Sequence, residues 1–388
     1  MKKKIKRLCI IADAYPTATN PRNPFIEQLV IAFTNLWIEC TVINPVSITN
    51  SLVRKKELSP KERKQSTETG SIHIYSPRYI TFSSKKIGLI NTNLINLKLF
   101  QASCLKVLRK IGADFDAVYG HFISPAGITA NKISKEYNIP AFFAYGENTN
   151  YTIERLGALK TKKLIHNIKG VIAVSTANKE NLIRHSIINQ NKIEVFPNSI
   201  NHKLFYKRNK KEMRKKYGFP ENAFIVAFVG RFIDIKGANR LSEAIERVGT
   251  DKVKSIFIGS GKVRPSCEGI LLEGKQNHEN IPELLSAADI FVLPTLAEGC
   301  CNAIIEAMAC GLPVISSNRS FNDDILDETC SIRVDPTDIV EIAGAIESLY
   351  YNDNLRKKLS EGALQKAKTL RIDTRAQNII KFMESKLN

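Results

Sequence analysis

Two glutamates bracket the run Glu298-Gly299-Cys300-Cys301-Asn302-Ala303-Ile304-Ile305-Glu306. The apolar run Ile290-Phe291-Val292-Leu293 ahead of them reads as a buried strand that stops at Pro294. Asn302 to Cys310 reads as a helix, closed by Gly311 and ended by Pro313. On one continuous helix, eight residues would set two carboxylates about 80° apart, at ~100° per residue. Here Glu298 falls in the turn before the helix and Glu306 inside it. Both are then expected to point into one crevice at a strand's carboxyl end, with the backbone N–H groups of Cys301 to Ala303 between them. Carboxylates suit sugar hydroxyls and a helix N-terminus suits phosphate, so the pattern predicts a site for a sugar and a phosphate together.

A second group lies upstream. The strand Phe224–Val229 runs into Gly230-Arg231, with Lys236-Gly237 following. Glycine lets the backbone turn, and two cations spread over a loop can clamp two phosphates. Gly259-Ser260-Gly261 makes a tight turn after the strand Ser255–Ile258 and is expected to shape a nucleotide pocket. Gly274-Lys275-Gln276 could offer backbone groups to a base edge. In the first half, His121 is expected just past the strand Ala117–Tyr119, at the opening of a crevice, touching a reacting sugar or its acceptor. The loop from Pro16 to Phe25 should face the same crevice, with Asn20, Arg22 and Asn23 as candidate acceptor or phosphate contacts.

Short buried strands must hold these loops. Apolar runs at Leu8–Ala12, Cys40–Ile43, Ala117–Tyr119, Ala141–Ala144 and Gly170–Val174 alternate with helical patterns at Phe25–Asn35, Leu94–Lys110 and Ala126–Tyr137. A second pass has strands at Phe224–Val229, Ser255–Ile258, Gly269–Leu272, Ile290–Leu293 and Pro313–Ser316. Its helices are Ala238–Val248, Pro282–Ala287, Asn302–Cys310 and Ile339–Tyr350. The alternation predicts an α/β protein of two parallel sheets with helices on both faces. The turn cluster Phe196-Pro197-Asn198-Ser199-Ile200-Asn201 marks the boundary. The expected organisation is an acceptor-binding Rossmann-like domain over 1–197 and a donor-binding one over 198–370, with a terminal helix over 371–388 returning to the first. Residues 47–92, polar and basic, read as a surface insertion.

The chain of 388 residues carries a formal net charge of +19, unevenly spread. Residues 1–200 hold 29 Lys+Arg against 13 Asp+Glu, and residues 201–388 hold 28 against 25. One domain should therefore present a positive surface to something anionic. The basic clusters lack interleaved aromatics or a recognition helix, which favours an anionic membrane surface over nucleic acid. No run reaches the ~18–20 apolar residues of a spanning helix. The apolar stretch after Lys2 to Arg7 is too short for a signal peptide, so it reads as a first strand and the protein as cytoplasmic and peripheral on the membrane. The eight cysteines form no C-x-x-C pair and read as buried, reduced thiols.

In order, Gly230-Arg231…Lys236-Gly237, Gly259-Ser260-Gly261, Ala288 to Pro294 and Glu298 to Ile315 resemble the retaining GT-B glycosyltransferases of glycosyltransferase family 4. Tyr119-Gly120-His121-Phe122, Ser124-Pro125-Ala126-Gly127 and Ile172-Ala173-Val174-Ser175 resemble it more loosely. The chain is similar to polysaccharide-assembly members of the teichuronic acid type. That resemblance implies two Rossmann-like domains facing each other across a cleft, and transfer of a hexosyl unit from a UDP- or GDP-sugar to a lipid-linked glycan. It implies that Arg231 and Lys236 neutralise the departing diphosphate, that Glu298 holds sugar hydroxyls and that Glu306 holds the ribose. The N–H groups of Cys300, Cys301, Asn302 and Ala303 would add support at a helix N-terminus, and Asn302 its amide. No metal or other cofactor is expected. An epimerase on the same scaffold and a non-catalytic anion- or nucleic-acid-binding protein are the alternatives. The chain departs from the family at Thr19 to Pro24, where relatives carry a double glycine, and at Tyr145-Gly146-Glu147-Asn148, where His-Gly-x-Asp is common. It departs again at Pro197-Asn198-Ser199, where Pro-Asn-Gly is usual.

Overall fold

Strands with side chains buried on both faces need apolar residues at nearly every position, and the short β-branched and aromatic runs of this chain meet that demand. A computed structural model describes residues 4–17, 23–53, 55, 57–83, 86–87 and 90–387. The chain divides into two units. The first holds Met1–Val174, Asn178–Phe196 and Ile372–Asn388, and the second Ser175–Ala177 and Pro197–Arg371.

The first unit is built on an eight-stranded sheet. Its strands, in chain order, are β1 (Arg7–Ile11), β2 (Glu39–Ile43), β3 (Glu62–Ser66), β4 (Ser71–Tyr75), β5 (Ala117–His121), β6 (Ala141–Tyr145), β7 (Ile168–Ala173) and β8 (Ile193–Val195). Their spatial order is β8-β7-β6-β5-β1-β2-β4-β3, parallel except for the β3–β4 hairpin. The hairpin corrects the reading of residues 47–92 as surface insertion alone. Ile72 and Ile74 alternate with polar neighbours and are fully buried where β4 pairs with β2, while charged β3 closes the edge. Helix Thr92–Ile111 begins at Asn91, whose side chain accepts the Asn93 N–H. Helix Ile372–Ser385 belongs to this unit. It buries Ala376, Ile379, Ile380 and Met383, and the Glu384 carboxylate accepts the Ile5 N–H at 3.0 Å.

The second unit carries a six-stranded, wholly parallel sheet of β9 (Phe224–Val229), β10 (Val253–Ile258), β11 (Ile270–Gly274), β12 (Ile290–Leu293), β13 (Val314–Ser317) and β14 (Ser331–Val334). The order is β11-β10-β9-β12-β13-β14. At the amino end of β12, Asp289 accepts the Ile225 N–H at 2.7 Å and pairs with buried Arg214 at 2.6 Å, which ties helix Lys210–Tyr217 to the sheet. All eight cysteines are buried thiols outside any disulfide. No helix among the described residues is long and apolar enough to cross a membrane.

Candidate functional site

In the second unit the chain leaves β9 for β10 and β11 on one side, then returns to β12 on the other. Loops leaving β9 and β12 therefore diverge, and the carboxyl ends of these neighbouring strands bound a crevice, the usual ligand position in an open parallel sheet. Lys236, in the turn after β9, and Glu298, in the loop after β12, meet there as an ion pair with side chains 15% and 9% exposed. The two loops are stitched together. Ile235 O accepts the Leu296 N–H at 2.8 Å and the Thr295 hydroxyl at 3.2 Å, and the Arg240 guanidinium donates to Pro294 O at 3.0 Å. Burial opposes the Lys236 charge, but Cys301 and Glu298 together raise its pKa above the ordinary lysine value. Burial also raises the Cys301 thiol, which leaves it neutral at pH 7, so the Glu298 carboxylate is what holds the lysine charged. Arg231 is exposed on the same loop, close enough for its charge to act on Lys236.

Backbone packing explains the glycines here. A Cβ on Gly259 would lie 1.8 Å from Gly230 O, and one on Gly261 would lie 2.0 Å from Phe232 O. Phe232 donates its N–H to Ser260 O at 2.9 Å, so the turns after β9 and β10 run in direct backbone contact. Gly230 is tight against the Phe228 ring.

Helix Asn302–Ala309 starts in the same loop, and its first-turn amides have no acceptor within their own helix. The Asn198 side chain donates to Cys300 O at 3.0 Å, fixing the approach to the helix; Cys300 and Cys301 are buried and Ala303 partly so. Asn302 Oδ1 is enclosed without a hydrogen-bond partner. The two glutamates, expected in one crevice, are engaged by different groups: Glu306 Oε1 lies 3.5 Å from His278 Nε2, whose ring stands 5.3 Å from that of Phe205. His278 escaped the sequence reading, although it follows β11 by only four residues. Lys275, one residue beyond β11, is exposed.

The chain's one Asp-x-Asp pattern, Asp114-Phe115-Asp116, is committed at the amino end of the first sheet. Asp116 accepts the Lys6 and Arg7 N–H groups at 2.8 and 2.9 Å, and Asp114 pairs with Arg7.

The first unit has its own strand-order reversal, between β1 and β5. His121 is the last residue of β5 rather than lying past it, at the carboxyl end of the strand, and it is 4% exposed. Its ring packs among Phe25, Tyr119 and Phe122. Burial and the Arg375 charge depress its pKa to about 3, so the imidazole is neutral, with Nδ1 unpartnered. Asn23 precedes helix Pro24–Thr34 in the left-handed region at φ 53°, its amide 3.5 Å from Ala14 O. Asn20 and Arg22 lie outside the described residues. Glu147, noted from sequence only within a departure from the family pattern and given no role, follows β6. It accepts the Ile123 N–H at 3.2 Å, and burial, with Asp13 adding to it, raises its carboxyl to about 7.

Two sequence families account for most of the chain: residues 58–204 match Glycosyltransferase Family 4 and residues 209–366 match Glycosyl transferases group 1. The chain is 27% identical over 351 residues, 87% of each protein, to TuaC of Bacillus subtilis (strain 168), assigned as a teichuronic acid biosynthesis glycosyltransferase. It is 27% identical over 301 residues, 72% of this chain and 79% of the other, to the N,N'-diacetylbacillosaminyl-diphospho-undecaprenol alpha-1,3-N-acetylgalactosaminyltransferase of Campylobacter jejuni. Sucrose-phosphate synthase from Thermosynechococcus elongatus superposes with a TM-score of 0.77 at 18% identity, covering 96% of this chain and 97% of that one. The fold is GT-B, and the protein is a glycosyltransferase. Its first part is similar to Glycosyltransferase Family 4 and its second to Glycosyl transferases group 1.

Proposed function

We propose that this glycosyltransferase moves a hexosyl unit from a UDP- or GDP-linked sugar to a lipid-linked glycan, with retention of configuration, in assembling a cell-surface polysaccharide at the membrane. The observation that carries the donor reading is the largely buried Lys236–Glu298 pair beside the first turn of helix Asn302–Ala309. An ammonium has three donors, and Glu298 engages one of them. The others are available to a diphosphate, whose negative charge grows as the sugar leaves. Lys236, Arg231 and the first-turn amides then stabilise the departing group more than the bound donor, which is what accelerates a reaction. These fixed charges supply the electrostatic role of a divalent ion, so the reaction is expected to run without one.

Glu298, freed in part when phosphate takes up Lys236, accepts hydrogen bonds from donor-sugar hydroxyls, and Glu306 with His278 binds the ribose edge. A leaving-group phosphate oxygen deprotonates the acceptor hydroxyl on the face the nucleotide vacates, so no enzyme nucleophile is needed. Trapping a covalent glycosyl group on Glu298 would defeat that step. The names borne by TuaC and the C. jejuni enzyme support polysaccharide assembly and a diphospho-polyprenol acceptor. Incubating the enzyme with a panel of nucleotide sugars and a diphospho-undecaprenol glycan, with and without EDTA, tests the proposal. Transfer from one donor, insensitive to EDTA, is the expected result; epimerised free donor without transfer would contradict it.

A further inference from the structure

The large apolar side chains exposed on this protein are unevenly placed. Among the described residues the second unit exposes Tyr206, Val340 and Tyr351, and the first exposes Trp37 and Leu58 besides a group in one part of it, Leu52, Val53, Ile80, Phe82, Ile95, Tyr151 and Leu159. Leu52 is 72% exposed, and Val53 and Leu159 are each 79% exposed. Hydrogen bonds join the segments that carry them. The Thr81 N–H donates to Thr49 Oγ1 at 3.2 Å, which sets the 78–83 segment beside helix Ile48–Val53. Asn96 bonds Phe82 through both backbone groups, at 2.8 and 2.9 Å, bringing in helix Thr92–Ile111. Arg155 donates to Asn93 Oδ1 at 3.0 Å and covers the Tyr151 ring at 4.2 Å, adding helix Tyr151–Leu156. Helix Ala158–Leu164, with Leu159, follows directly.

Charge tells what covers this belt. Residues 47–111 contain 13 Lys+Arg against 3 Asp+Glu, and residues 151–164 contain 4 against 1. Lys55, Lys98, Arg155, Lys160, Lys162 and Lys163 are exposed. Apolar side chains among cations match the boundary between anionic head groups and acyl chains, where each Lys or Arg adds attraction and the apolar tips insert. A protein partner would need an equally acidic and apolar face.

We propose that this belt is the face that docks on an anionic lipid surface, an inference that rests on the reading of the acceptor as lipid-linked. A cavity of about 260 Å³ runs from Tyr151, Arg155 and Asn93 of the belt to Asp13 beyond β1 and Ser124–Pro125 beyond β5. Seated on lipid, the belt admits the polar head of an anchored acceptor into that cavity, at the first sheet's reversal of strand order.

The test uses the full-length protein and sedimentation with two kinds of vesicle, phosphatidylcholine alone and phosphatidylcholine with an equal part of phosphatidylglycerol. Wild type should pellet with the anionic vesicles only and should be released by high salt. The triple variant Leu52→Glu/Phe82→Glu/Leu159→Glu should lose binding by at least about tenfold. Trp37→Glu, at the amino end of β2 and equally exposed, should bind as wild type does. Stabilisation by UDP or GDP, read in parallel, should be the same in all three. Wild type that responds to nucleotide yet ignores anionic vesicles overturns the docking face and leaves the transferase reading standing. Equal loss in Trp37→Glu, or a triple variant that merely turns a dimer into a monomer, overturns it too. Vesicle binding without any nucleotide response strikes instead at the proposed reaction.

Discussion

Replacing Glu147 by glutamine should make the first unit more stable at pH 8 than at pH 5, relative to wild type. The carboxyl follows β6, accepts the Ile123 N–H at 3.2 Å and is pushed from 4.5 to about 7, mainly by burial. Between those values the unfolded chain is ionised while the folded chain keeps its proton. Wild-type stability therefore falls as pH rises through the window and levels off above 7. At 1.36 kcal/mol per unit, the loss at pH 8 is about 3 kcal/mol, and glutamine, which cannot ionise, does not suffer it. For a unit of this size that corresponds to roughly 5–10 °C in melting temperature at pH 8, against little change at pH 5. His121, which stays neutral while the unfolded imidazole protonates, lowers stability below about pH 6.5, but it does so in both proteins and cancels. Thermal unfolding of both proteins across pH 5–8 measures the difference. A gap that stays constant with pH, or reverses sign, refutes the argument from burial.

The Lys236–Glu298 pair should behave as one unit in denaturant unfolding. Lys236→Met or Glu298→Gln alone is expected to cost roughly 3–5 kcal/mol by leaving a buried partner uncompensated. The double variant should cost at least about 1 kcal/mol less than the two singles combined, and strict additivity would speak against the pairing. Gly261→Ala, whose new methyl meets Phe232 O at 2.0 Å, should lose on the order of 2–4 kcal/mol. Gly344→Ala, in helix Ile339–Tyr351 with open space around it, should gain about 0.5–1 kcal/mol; equal effects at the two glycines would contradict the packing described.

The parallel sheets were readable because a strand buried on both faces advertises itself. Phe224–Val229 and Ile290–Leu293 have the same limits in sequence and structure. The hairpin of β3 and β4 escaped because Glu62-Arg63-Lys64-Gln65-Ser66 carries the composition of a loop, and the period-two signal of Ser71-Ile72-His73-Ile74-Tyr75 is short. Helix Asp353–Thr369 escaped because it buries only Leu359, Ala363 and Ala367. At the site, local pattern finds the loops after strands but not their long-range partners. Lys236 and Glu298 are 62 residues apart, and only the strand order makes them neighbours. Glu306 was matched with Glu298 on spacing, whereas the fold supplies it with His278. Glu147 showed in the sequence only as part of a departure from His-Gly-x-Asp; its altered acidity comes from burial, which a sequence does not display.

Titration calorimetry of the full-length protein with UDP and with GDP, repeated on Lys236→Ala once unfolding curves show that it is folded, goes to the centre of this account. Wild type should bind one of the two nucleotides, and removal of the lysine should weaken binding by roughly ten- to a hundredfold, the loss of one buried charge-assisted contact. A wild-type protein that binds neither nucleoside diphosphate, or a folded variant that binds as tightly as wild type, would contradict it.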